Sequence, residues 1–162
     1  MKRIFNLFDK AEESILIVLV AIMTISIVIQ VFCRTLFSVS LSWTEEISRF
    51  ILVWVTYVGA SLGVKRGAHI GVEAFTMILP KKVKQIVQYI TLAFCIIFTT
   101  VVFKESLTIL STQFSTGQKS AAVQLPMWIP YLGVTTGTFL MTMRFVEQCY
   151  IQFKNNKEGG TN

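Results

Sequence analysis

Few residues in this chain of 162 are suited to chemistry, and they cluster between long apolar stretches. The densest group is Trp43-Thr44-Glu45-Glu46 followed by Arg49. On a helix Glu45 and Arg49 are i,i+4 and Glu46 and Arg49 are i,i+3, so either carboxylate can pair with the guanidinium on one face. Two readings of that group stand side by side. One is an interfacial charge cluster that anchors a helix beside a headgroup-level Trp43. The other is a docking surface for a membrane partner or an extracytoplasmic protein. His69 is the single histidine, and a lone loop histidine reads as an ordinary surface or capping residue. Cys33, Cys95 and Cys149 show no CxxC or Cys/His spacing, so they predict small apolar side chains in helices, with neither a metal site nor a disulfide framework. HExxH and phosphate-loop motifs are missing, which points away from an enzyme and from a cofactor held by this chain.

The elements that must position these groups are four uncharged runs: Ser14–Cys33, Phe50–Val64, Gln85–Phe103 and Ser120–Met143. A hydrocarbon core about 30 Å thick needs roughly 20 apolar residues in a helix. Three runs meet that length or nearly so, and the second needs help from its flanks. The expected fold is therefore all-α: an integral membrane protein with four transmembrane helices at about 12–36, 47–64, 84–103 and 124–146. These form one membrane domain over 1–154, and residues 155–162 make a polar tail expected to be disordered. The composition agrees, at 53% hydrophobic with mean hydropathy +0.62. The formal net charge of +6 lies between the apolar runs rather than on one stripe, which argues for a bilayer and against nucleic acid. Lys2, Arg3 and Lys10 precede a run too long for a cleaved leader and lacking a small-x-small site, so it reads as an uncleaved first span.

Ser42-Trp43-Thr44-Glu45 fits a capping box and predicts a helix start at Ser42. That helix lies either in the interface before the second span or runs as one tilted helix through Val64. Lys65–Lys84 is the main polar connection, and Pro80 starts the third helix. The spacing of Leu107, Leu110 and Phe114 extends that helix past Lys104 and Glu105 to a stop at Gly117. Pro126 and Pro130 belong to the start of the fourth, where a missing amide costs least. With four spans, both termini and the middle loop share a side. That side holds 11 Lys and Arg residues and the other holds 4: Arg34, Arg49, Lys104 and Lys119. The positive-inside rule places both termini in the cytoplasm.

No ionisable residue lies deep within any run, and no Gly/Pro-broken inverted pair of spans offers a midplane site. The chain thus reads as a subunit rather than a self-sufficient transporter. Gly59-Ala-Ser-Leu-Gly63 and Gly133-Val-Thr-Thr-Gly137 are both G-x-x-x-G, suited either to packing within the chain or to contact with a partner.

These segments resemble the small membrane subunit, DctQ- or SiaQ-like, of tripartite ATP-independent periplasmic (TRAP) transporters. The likeness covers almost the whole chain. It rests on Arg34 shortly before Trp43, Glu45, Glu46 and Arg49, then Trp54 and Gly59. It continues in Arg66-Gly67-Ala68-His69-Ile70-Gly71-Val72-Glu73, where the family commonly has R-x-G-E-H-I-x-V-D. It ends in Ser120-Ala121, Pro126, Trp128 and Tyr131. Ala68 replaces the usual acid and Glu73 the usual Asp. The resemblance implies a multi-pass protein of the bacterial inner membrane. It implies a scaffold for a large DctM- or SiaM-like subunit that carries the sodium and substrate sites. A periplasmic binding protein would deliver an organic acid such as a C4-dicarboxylate or sialic acid. The competing class is a stand-alone four-helix exporter or a homo-oligomeric channel. A proton-coupled exporter would want a carboxylate in the first span, and Ser14–Cys33 has none.

Overall fold

The computed structural model describes residues 2–65 and 80–158, with side chains described for 10–65, 80 and 83–153. Four long helices carry them: α1 (Lys2–Phe37), α2 (Ser42–Lys65), α3 (Lys81–Thr116) and α4 (Trp128–Glu158). No strand occurs among the described residues. The helix ends follow local chemistry. After α1, Ser38 turns into the left-handed region (φ 53) and the Val39 amide reaches back to the Cys33 carbonyl at 3.4 Å. The left-handed residue and this backward bond end the helix. Pro80 precedes α3 in extended conformation, and its carbonyl accepts the Lys84 amide at 3.0 Å. Gly117 ends α3 at φ 60, a conformation costly for a residue with a Cβ.

α2 is continuous from Ser42 to Lys65, so Glu45–Arg49 occupy its first two turns and form no separate interfacial helix. The expected capping box does not form. The Thr44 amide and hydroxyl instead both donate to the Leu41 carbonyl, at 3.2 and 2.6 Å, and Glu45 reaches forward along the helix rather than back.

The helices form a layer one helix thick. Among the described residues α1 packs along α2, α2 also along α4, and α4 also along α3. The spatial order is thus α1–α2–α4–α3, with the last helix in an inner position. α1, α2 and α3 are each long and apolar enough to cross a membrane. α4 is more polar, carrying Arg144, Glu147 and several threonines. Its place between α2 and α3 explains this, because its flanks face protein rather than lipid. Thr135, Thr136, Thr138 and Thr142 each return their hydroxyl to the carbonyl four residues back, at 2.7–3.1 Å. Thr135 and Thr138 can therefore be buried without orphaned donors.

Close approach between α2 and α4 depends on two glycines. A Cβ on Gly137 would stand 2.5 Å from the Tyr57 Cβ, and one on Gly133 would stand 3.0 Å from the Trp54 ring. The G-x-x-x-G of α4 therefore serves packing within the chain. Gly59 faces Leu16 of α1, where an added Cβ would meet only an ordinary contact at 4.0 Å. On the other flank, Leu92, Thr99 and Ser106 of α3 are buried at seven-residue intervals along α4. Val64, Leu92 and Phe145 form a small core against which Cys95 and Cys149 pack, so those two cysteines act as small apolar side chains. Ile, Val and Phe side chains remain exposed along α1 and α3, as expected of surfaces that meet hydrocarbon. The chain is an all-α membrane protein.

Candidate functional site

The charged group near the start of α2 splits into two parts with different tasks. Glu45 Oε1 accepts from Arg49 Nη2 at 2.9 Å, and both side chains are largely exposed, at 59% and 69%. Such a pair is worth only about 0.3–0.5 kcal/mol in an isolated helix, which leaves both charges accessible to a partner. Glu46 points elsewhere. Its carboxylate accepts three successive backbone amides of the α3–α4 connector: Ala121 at 3.1 Å, Ala122 at 2.9 Å and Val123 at 2.8 Å. Charge-assisted bonds of this kind are stronger than neutral ones, and three on one carboxylate fix the connector over the end of α2.

The connector, residues 117–127, folds back on itself. The Ser120 amide donates to Leu125 and the Met127 amide to Gln118, at 2.8 and 2.9 Å, with Lys119 and Pro126 paired across the turn. Gln124 adopts φ 59 at its tip. Trp128 then starts α4 and stacks on Phe114 of α3, with ring centroids 4.9 Å apart. Trp54 Nε1 donates to the Ile129 carbonyl at 3.2 Å. The structure thus brings together Glu46, Trp54, Ala121, Pro126 and Trp128, with half-buried Tyr131 one turn further along α4. Trp43 stands at the same end, 47% exposed, above a fully buried Thr44.

The other expected residues lie apart. Arg34 is exposed in the last turn of α1. Gly59 lies on the α1-facing side of α2, and Gly63 is half-buried near the opposite end of that helix. Arg66 and His69, with the rest of the Arg66–Glu73 motif, lie outside the described residues.

A second polar cluster closes the Lys65 end. Arg144 of α4 donates to Ser61 Oγ of α2 at 2.7 Å and to Glu12 Oε2 of α1 at 2.5 Å. The Arg144 and Glu12 side chains are only 12% and 14% exposed. Nearby, Gln148 donates to the Val64 carbonyl, and Gln152 donates to Gln88 of α3 at 2.7 Å. α4 is thereby latched to all three other helices. Between α1 and α4, over Trp54 and Val58, lies an apolar groove of about 860 Å³ with Arg144 and Glu147 at one end. The sequence held a signal for the latch: Glu12 and Arg144 are opposite charges bordering apolar runs on one expected side of the membrane.

Chemically, both clusters hold helices together. No group of three His, Cys, Asp or Glu among the described residues is placed to hold a metal.

The family model described as "Tripartite ATP-independent periplasmic transporters, DctQ component" matches residues 23–155, most of the chain and every element of the first cluster. The chain belongs to this family. Among its relatives is the C4-dicarboxylate TRAP transporter small permease protein DctQ of Vibrio cholerae, 26% identical over 90% of this chain and 72% of that protein. The DctQ of Rhodobacter capsulatus is 26% identical over 72% of this chain and 51% of its own length. The isethionate TRAP transporter permease protein DctMQ of Oleidesulfovibrio alaskensis is 31% identical over 65% of this chain, a match covering only 16% of that much longer protein. As a DctQ component, the chain is a small TRAP permease subunit. Its relatives are permeases rather than catalysts.

Proposed function

We propose that this subunit scaffolds a larger membrane subunit in a sodium-driven importer of an organic anion, which a periplasmic binding protein delivers. The observation that carries this reading is the family match over residues 23–155. The DctMQ relative supports it, because a permease that the chain matches over only 16% of its length leaves most of that length for a second permease component. The relatives named for C4-dicarboxylates and for isethionate differ in substrate but share negative charge at physiological pH. A C4-dicarboxylate or a sialic-acid-like anion fits the same class, with sodium and substrate bound by the large subunit. The chain would sit in the bacterial inner membrane as one domain over residues 1–154. Both termini and the 65–84 connection would be cytoplasmic, and the Glu46 cluster would face the periplasm, following the distribution of Lys and Arg. There Trp43 and the exposed Glu45–Arg49 pair would meet the large subunit or the binding protein, beside a connector held in shape by Glu46.

Purification in mild detergent tests this reading. The expected companion is a hydrophobic protein of about 45 kDa, the mass of about a dozen spans of ~20 residues with their loops. Recovery of the chain as a closed homo-oligomer without such a companion would favour the exporter or channel class instead.

A further inference from the structure

The apolar groove between α1 and α4 has a length, a width and a charged end that together specify its occupant. α2 forms the floor. The walls run from Ala11 to Leu19 on α1 and from Thr136 to Glu147 on α4. At 1.5 Å per residue the α4 wall is about 16 Å long. A hydrocarbon core is about 30 Å thick, so the groove is one leaflet deep. At its inner end Trp54 is fixed by the bond from Nε1 to the Ile129 carbonyl. At its outer end lie Lys65 and Glu147, where the uncharged run of α2 stops. Even Thr136 presents no free hydroxyl hydrogen to the groove, because it donates to the Leu132 carbonyl at 2.7 Å.

The width excludes a helix. α1 and α4 flank α2, so their axes are two steps of about 8–10 Å apart. Each helix with its side chains is about 10–12 Å across, which leaves roughly 5–9 Å between the walls. A transmembrane helix cannot sink into that slot, whereas a file of methylenes can. The Glu12–Arg144 pair crosses the same gap near the outer end. Arg144 also donates to Ser61 of α2, so the pair lies against the floor. The volume of about 860 Å³ is ample for a small amphiphile.

The charges at the outer end select a head group. Lys65 and Arg144 are positive, Glu12 and Glu147 negative, and all four line the groove. Basic pockets between spans favour anionic lipids. Here the two signs cancel, and the exposed members are Lys65 and Glu147. Lys65 suits a phosphate and Glu147 an ammonium.

We propose that the groove holds one phospholipid from the leaflet at the Lys65 end. Its acyl chain lies against Leu16, Leu140 and Trp54, its phosphate at Lys65 and a primary ammonium at Glu147. Bound there, it joins α1 to α4 along the stretch that the ion pair does not reach. The inference depends on the chain being a membrane protein and is independent of its transport substrate.

Photocrosslinking tests it in the full chain, purified in mild detergent with any membrane companion. Photoreactive benzoylphenylalanine replaces Leu140 in the groove or exposed Ile90 of α3. Irradiation is expected to add the mass of one phospholipid at position 140. None is expected at position 90, where detergent has displaced bulk lipid. Equal lipid addition at both positions, or an adduct at 140 with detergent, a second copy of the chain or another membrane protein, would overturn the proposal. Leu19 offers a second groove position with the same outcomes should the first variant fail to fold. The head group is tested by offering equal amounts of phosphatidylethanolamine and phosphatidylglycerol. The parent chain is expected to retain the former on the order of fivefold better, and Glu147→Lys to reverse the order. No preference in the parent chain, or the same preference in both, would overturn the head-group assignment.

Discussion

Arg144→Ala is expected to lower the thermal unfolding midpoint of the detergent-solubilised subunit on the order of 10 °C. Glu12 is nearly buried, and Arg144 donates to one of its carboxylate oxygens; the other has no partner among the described residues. Removing one member of a buried ion pair typically costs about 3–5 kcal/mol because the other charge is left uncompensated. For a chain of this size, each kcal/mol moves the midpoint by about 2–4 °C. The pair itself need not be worth that much, since two apolar groups of similar volume often serve as well. Arg144→Met combined with Glu12→Leu is therefore expected to regain most of the loss. Arg49→Ala, which breaks the exposed Glu45 pair, should move the midpoint by no more than about 2 °C. A shift for Arg144→Ala no larger than that of Arg49→Ala would contradict the latch. So would a double variant as unstable as the single one.

Glu46→Ala is expected to release the α3–α4 connector. Its three acceptor bonds go to consecutive amides, so their loss frees a whole turn rather than one group. Hydrogen exchange at Ala121, Ala122 and Val123 should accelerate on the order of tenfold or more, because local opening no longer breaks a charge-assisted bond. Glu46→Gln should fall between, since one amide oxygen can still accept while its NH₂ faces donors. Glu45→Ala should leave the three amides unchanged, its carboxylate being committed to Arg49. Equal protection in Glu46→Ala and the parent chain would remove Glu46 from its organising role.

The difference between these two acids marks the limit of what the sequence could reveal. Spacing alone offered Glu45 and Glu46 as alternative partners for Arg49. Helix geometry favours the i,i+4 choice, and that is the one realised. Nothing local could reveal that Glu46 would take its partners from residues more than 70 positions away, because backbone amides carry no side-chain signature. The helices themselves were legible, since hydrophobic length, Pro80 and Gly117 are local signals. The capping box misled because Thr44 offered Leu41 a competing closure, which left Glu45 free to turn forward. Arg144 read as one more positive residue at the membrane edge. Its partnership with Glu12 and Ser61 depends on how α1, α2 and α4 stack, which the apolar runs by themselves do not determine. The two glycines of α4 were visible as a motif. Only the packed structure shows Trp54 and Tyr57 filling the space they leave.

The scaffolding role is tested most directly by reconstitution. Proteoliposomes would contain this subunit alone, its large membrane partner alone, or both, with substrate-loaded binding protein outside and an inward sodium gradient. Accumulation of the organic anion is expected only where both membrane subunits are present. Accumulation by this chain alone, or undiminished accumulation by the large subunit without it, would contradict that role.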